Sequence, residues 1–236
     1  MKNKDKTIKF RAEDEYYWNV GLRPQPTTNF LPQWYKDAPV HVENQKFKLD
    51  PGPNITFKRC FPMLDAMTSG YISPLWADCQ VTSTNTGATH VNWGVKRPVF
   101  DVWPQGQVST FEIPEGFDGQ VFKYLHGWIP KTPSGYSTLI THPFAYQNLP
   151  FKAVTGIVDT DALDTGAYTP IIFKKGWEGI LEKGTPMFQM IPFKRDNWIS
   201  EFELMGDNEN FYNVEKLYSK LISSYGKFLR SKKSYK

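Results

Sequence analysis

GIVDTDALDTG, residues 156–166, and GTPMFQMIPF, residues 184–193, carry most of what this chain says about its architecture. The first is an apolar run that ends on two aspartates one residue apart, Asp159 and Asp161, set between glycines. On a strand, residues two apart face the same side. Two carboxylates so placed hold a water and raise one another's pKa, which is what a general base needs. Asp followed by Thr and Gly also closes Asx-turns that have no chemistry attached. Two readings therefore stand open at this point, a catalytic carboxylate pair or the corner of a β-hairpin.

Strand signals extend outward in both directions. NITFKRCF, GYISPLWADCQVTST, HVNWGV, FEIP, GQVFKYLHGWIPKT and YSTLITH precede the aspartates. KAVTGIVD, TPIIFKK, GILEKG and PMFQMIPFKR contain or follow them. Ile55, Phe57 and Arg59 alternate with Thr56 and Lys58, a pattern that suits a strand with one buried face. NTG, PQG, PEG, DG and PSG supply the turns. With 18 Pro and 17 Gly the chain is interrupted too often for a helical bundle, and many short strands fit it better. The expected fold class is mainly β, with an antiparallel core domain over residues 54–206.

Residues 1–53 read as an extended, irregular N-terminal arm. Prolines at 24, 26, 32 and 39 each disfavour helix at the preceding residue. The arm also holds Tyr16, Tyr17, Trp18, Phe30, Trp34 and Tyr35, and disordered tails are poor in aromatics. It must lie on apolar surface, either its own core or a neighbouring subunit. LPQWYKDA predicts one short helical turn. Residues 207–236 read as a C-terminal helix and basic tail. Apolar residues at 214, 217, 218, 221, 222, 225, 228 and 229 form the stripe of an amphipathic helix over 213–230. Asn213 suits its N-cap and Arg230 its last turn, while Gly226 opposes it by about 1 kcal/mol.

The chain of 236 residues is 40% hydrophobic, enough to bury a core. Its net charge is +4, but Lys2, Lys4, Lys6, Arg230, Lys232, Lys233 and Lys236 sit in two terminal runs; removing those seven leaves −3. No basic face for specific nucleic-acid binding is implied. No run approaches the roughly 18 apolar residues of a membrane span. The N-terminus is charged and lacks an apolar leader, so a cytosolic setting with reduced thiols is expected. Cys60 and Cys79 both sit in strand-like contexts and are expected to be buried free thiols.

Familiar chemical motifs are few. His41, His90, His126 and His142 form no H-x-D or H-E-x-x-H pair, so neither a facial iron triad nor a zincin is supported. There is no G-x-S-x-G, P-loop or G-x-G-x-x-G. Trp93, Trp103, Trp128 and Trp177 are candidate stacking platforms for a ligand, and core packing is the competing use.

Residues 133–193 resemble the β-clip core of the dUTPase and dCTP deaminase superfamily. Gly156, Asp159, Asp161, Gly166, Gly184, Met187, Gln189 and Met190 follow that pattern in order, and PSGYSTLI (133–140) resembles the strand entering the family's phosphate-binding motif. The resemblance implies a barrel-like β-clip core. It implies Asp159 as general base with Asp161 and Gln189 in support, and His142, Tyr136 and Arg195 as ligand contacts. It implies no resident metal or cofactor, Mg²⁺ entering only with the phosphates of a nucleotide substrate. It also implies a homo-oligomer, with a trimer fitting the analogy. The departures weigh against activity. Thr141-His142-Pro143 stands where Arg-Ser-Ser would grip phosphates, Ala162 stands where a Tyr would stack on the base, and the Gly-rich closing arm is replaced by the expected helix.

Over its whole length the chain resembles a family of proteins of tailed phages, marine cyanophages among them, and of some bacteria. YYWNVGLRP, LPQWYKDAP, LDAMTSGY, KTPSGYSTLITHP, GIVDTD and KGTPMFQMIPFKR carry that resemblance. It implies a phage-encoded structural or assembly protein, in the virion or the host cytoplasm, whose partners are its own copies or other phage structural proteins. The alternatives are a diverged nucleotide hydrolase or deaminase-type enzyme, a nucleotide- or glycan-binding module, and a metal-dependent oxygenase on a cupin-like barrel.

Overall fold

A computed structural model describes residues 6–41, 56–84, 87–166, 168–206 and 225–236. In chain order its elements are β1 (Lys9–Ala12), α1 (Glu15–Val20), β2 (Gln25–Pro26), α2 (Gln33–Asp37), α3 (Phe61–Thr68), β3 (Tyr71–Pro74), β4 (Cys79–Ser83), β5 (Thr89–Trp93), β6 (Phe100–Val102), α4 (Gln105–Val108), β7 (Phe117–Tyr124), β8 (Trp128–Lys131), β9 (Tyr136–Thr141), β10 (Phe151–Ala153), β11 (Gly156–Val158), β12 (Thr169–Lys174), β13 (Gly179–Leu181) and β14 (Pro186–Lys194). The protein is mainly β, as expected, and its strand pairs are antiparallel. The largest sheet runs β11-β9-β14-β3-β2; a second runs β10-β12-β7-β6, a third β13-β4-β5, and β1 pairs with β8.

One main core lies between the sheets. Leu75, Tyr124, Ile171, Phe173, Met187, Phe188 and Met190 are fully buried in it. Burying Tyr124 desolvates its phenol and pushes its pKa well up. The hydroxyl stays satisfied by donating to the Pro74 carbonyl at 2.7 Å. Gly70 lies beneath β14 with φ +76°, and a Cβ there would sit 1.9 Å from the Met190 carbonyl oxygen, so only glycine lets α3 hand over to β3 at this spot.

The N-terminal segment lies on the chain's own body. β1 pairs with β8 and β2 with β3. Asp14 caps α1 by accepting from the Tyr17 N–H at 3.0 Å. Tyr17 is buried edge-on against Trp76, with 5.5 Å between ring centroids. Gly127, with φ +66°, makes room for it, since a Cβ there would come within 2.1 Å of the Tyr17 ring. LPQWYKDA holds the short helix α2, as its sequence predicts.

Three local expectations are corrected. Of NITFKRCF, the described residues form a 3₁₀ turn (Phe57–Arg59) running into α3, because Pro62 suits the first helical turn and Thr56 caps the turn ahead of it. FEIP (111–114) forms no strand. Cys60 is exposed at the start of α3, whereas Cys79 is buried in β4, where desolvation pushes its thiol up to about 12. The amphipathic helix expected over 213–230 lies, for residues 213–224, outside the described residues; Tyr225–Leu229 forms a single π-helical turn.

Candidate functional site

The adjacency of β11, β9 and β14 brings the two aspartates together with Arg195. β11 stops at Val158, and the chain turns there: the Ala162 and Leu163 N–H groups both donate to the Asp159 carbonyl, at 3.0 and 2.9 Å. Thr160, between the aspartates, is buried, and its hydroxyl bonds those of Thr132 (2.7 Å) and Thr138 (2.9 Å). Anchoring Thr160 inward leaves both flanking carboxylates on the outer side, where Arg195 meets them one residue past β14.

One guanidinium holds both carboxylates. Arg195 Nη1 donates to Asp159 Oδ1 at 3.1 Å and to Asp161 Oδ1 at 2.9 Å, and Nη2 donates to Asp161 Oδ2. The Ser137 hydroxyl donates to Asp159 Oδ1 at 2.6 Å, and the Gly135 N–H donates to Asp161 Oδ2 at 2.8 Å. Arg195 itself also donates its backbone N–H to the Gly135 carbonyl at 2.9 Å. Asp161 is nearly covered, its side chain 10% exposed, while that of Asp159 is 64% exposed. The Arg195 guanidinium, helped by the Gly135 N–H, holds the Asp161 carboxyl down at about 2. A carboxylate so held is a weak base. The cation supplies attraction where two bare carboxylates would have raised one another's pKa. The geometry is a latch that ties the 133–137 turn, the 159–162 turn and the end of β14 to one another.

Gln189 and His142 lie elsewhere. Gln189 is fully buried in the inner half of β14. Its amide donates to the Ala66 and Ser69 carbonyls at 2.9 and 2.7 Å, and its oxygen accepts from the Phe144 N–H at 3.1 Å. It joins β14 to the end of α3. His142 accepts from the Ala153 N–H at Nδ1 (3.3 Å), so Nε2 carries the proton and donates to the Tyr146 carbonyl at 2.8 Å. Burial lowers its pKa, which keeps the ring neutral.

Tyr136 stands at the edge of the latch and faces a groove of about 610 Å³. Lys6, Ile8, Tyr71, Tyr136, Lys233 and Tyr235 line it, so the N-terminal segment, the large sheet and the C-terminal tail all contribute. The Lys6 ammonium sits 4.2 Å from the centre of the Tyr136 ring. The tail is held by Arg230 and Lys233 on Asp65, whose carboxyl they keep below its usual range, and by the Tyr71 hydroxyl donating to the Lys236 main-chain oxygen at 3.2 Å.

Residues 196–206, DNWISEFELMG, match no chemical motif. Every one of them is exposed, with Trp198 and Ile199 at 89%, Phe202 at 99% and Leu204 at 97%. Their signal in the sequence is large apolar side chains directly behind a core strand, with acids and no basic residue among them. The tryptophan platforms divide: Trp128 is buried in the core, while Trp103 lies beneath the Lys123 ammonium at 5.1 Å. Among the described residues no three His, Cys, Asp or Glu side chains are grouped to hold a metal ion, and no helix is long and apolar enough to cross a membrane.

A scan against protein-family models and a search of curated proteins each return no match. Among solved structures the chain is similar to two of the dUTPase from phage phi11 of S. aureus, one a point mutant showing the coordination of a structural Mg(II) ion, the other showing a species-specific insert. Each is 10% identical and covers 85% of this chain and 97% of its own, with TM-scores of 0.36 and 0.38.

Proposed function

We propose that the protein is a phage structural or assembly component that works as a homo-oligomer. The observation that carries this is the exposed apolar segment 198–205. A soluble monomer rarely leaves Trp, Ile, Phe and Leu side chains bare together. Covering each of the four contributes about 1.5–3 kcal/mol, enough to drive association once ordering costs are met. The latch supports the same reading from the other side. Nucleotide hydrolysis on this core would need a free carboxylate base and a cation left over for phosphates. Here Arg195 is spent on Asp159 and Asp161.

Light scattering on the eluting peak of a size-exclusion column tests the proposal. The wild-type chain at tens of micromolar is expected to run as a defined oligomer, and a Trp198→Ser/Phe202→Ser variant as a monomer with an unchanged circular dichroism spectrum. dUTP and dCTP are expected to survive incubation with the wild type and Mg²⁺. A monomeric wild type, or nucleotide turnover that disappears in Asp159→Asn, overturns it.

A further inference from the structure

We infer that the groove between Lys6 and the 230–236 tail is the seat for residues 196–206 of a second copy of this chain. The inference rests on the oligomeric reading above and names the surface that reading leaves open.

Charge is the first argument. The segment carries Asp196, Glu201 and Glu203 and no basic residue. The groove presents Lys6, Lys233 and Lys236. Of these, Lys233 is engaged by Asp65, while Lys6 lies over the Tyr136 ring. Opposed fields of this kind select a partner and set its register.

Shape and surface are the second. Tyr71, Tyr136 and Tyr235, with Ile8 and Pro192, give the groove an apolar floor. Laid out as a strand, the segment shows Trp198, Phe202 and Leu204 on one face and Glu201 and Glu203 on the other. The aromatic face then meets the tyrosines, and the acids reach the lysines at the rim.

Position is the third. The segment leaves the body at Arg195, whose N–H is bonded to Gly135, and Pro133 and Tyr136 on the same turn line the groove. Root and seat are neighbours on one surface. A two-fold axis beside them lays each copy's segment into the other's groove, a self-complementary interface that closes on itself.

Charge exchange tests this on the full chain. Glu201→Lys/Glu203→Lys reverses the segment, and Lys6→Glu/Lys236→Glu reverses the groove at surface positions that leave the Asp65 pair intact. Each reversed protein alone is expected to self-associate more weakly by about tenfold or more. Mixed in equal amounts, they are expected to assemble, because both contacts of the mixed pair are then between opposite charges. If the groove reversal leaves assembly unchanged while Trp198→Ser/Phe202→Ser abolishes it, the segment docks elsewhere: this inference falls and the oligomeric reading stands. If the wild type is a monomer, both fall. If inorganic triphosphate binds the wild type by calorimetry, is lost in the groove reversal, and assembly is indifferent to that reversal, the groove is a small-anion site and the inference is overturned.

Discussion

β14 and the eleven residues 196–206 behind Arg195 are one continuous piece of chain with opposite fates. Met187, Phe188 and Met190 are sealed in the core, whereas Trp198, Phe202 and Leu204 stand in solvent. Both pieces are aromatic and apolar, so hydrophobicity alone does not separate them. The difference is in what each can pair with. β14 is hydrogen-bonded on both sides, by β9 and β3, and its buried amide Gln189 is satisfied. The segment beyond has left the sheet. An apolar stretch that finds no cover among the described residues points to cover supplied from outside them.

The sharpest break of this comparison is a matched pair of truncations. Phe188→Ala is expected to cost about 3–5 kcal/mol and lower the thermal midpoint by about 10 °C. Phe202→Ala is expected to leave the dilute, dissociated chain within about 0.5 kcal/mol of wild type and to weaken association instead. Thermal melts taken across a dilution series separate the two effects. Equal losses at high dilution would mean that Phe202 is covered within its own chain.

A smaller effect is expected at Gln189. Gln189→Leu leaves the Phe144 N–H without its acceptor, while the Ser69 carbonyl keeps the Thr27 hydroxyl. About 2 kcal/mol of stability should go, read as a lower urea midpoint at unchanged slope. A catalytic role in place of this structural one would show as lost turnover with unaltered stability.

The smallest effect is expected at the latch. Asp161 is held at about 2 in the folded chain against an ordinary value of 3.8. Its depressed pKa means that its contribution is complete above about pH 4 and disappears as pH falls toward 2. Asp161→Asn should therefore be little changed in slope from pH 7 to pH 5 and should flatten the acid limb below pH 4, measured by urea midpoints at each pH. An identical acid limb in both proteins would mean that Arg195 does not hold this carboxylate in solution.

The strands are legible where a short apolar run is bounded by turn signals. TPIIFKK, YSTLITH and PMFQMIPFKR all sit in strands, and consecutive buried residues show that both faces of each are covered over part of its length. FKRCFPML misled, since Phe57 and Arg59 alternate as a strand would while Pro62 opens a helix three residues later. The family resemblance makes Arg195 a ligand contact, but its partners lie 34 and 36 residues upstream, and only the β11-β9-β14 order brings them within reach. Motif order groups Gln189 with the aspartates. On the folded strand it points to α3, a partner about 120 residues away that no local pattern announces.

The pairing of β1 with β8 also sets a timetable. Lys9 lies opposite Lys131, so the first strand waits for 122 further residues to be made before it has anywhere to go. At about 5–20 residues per second that delay is roughly 6–24 s. Trp76 follows Tyr17 by 59 residues and Gly127 by 110, so the cover of Tyr17 is completed only near the end of that interval. Slower translation lengthens the interval for which this aromatic cluster waits for its cover.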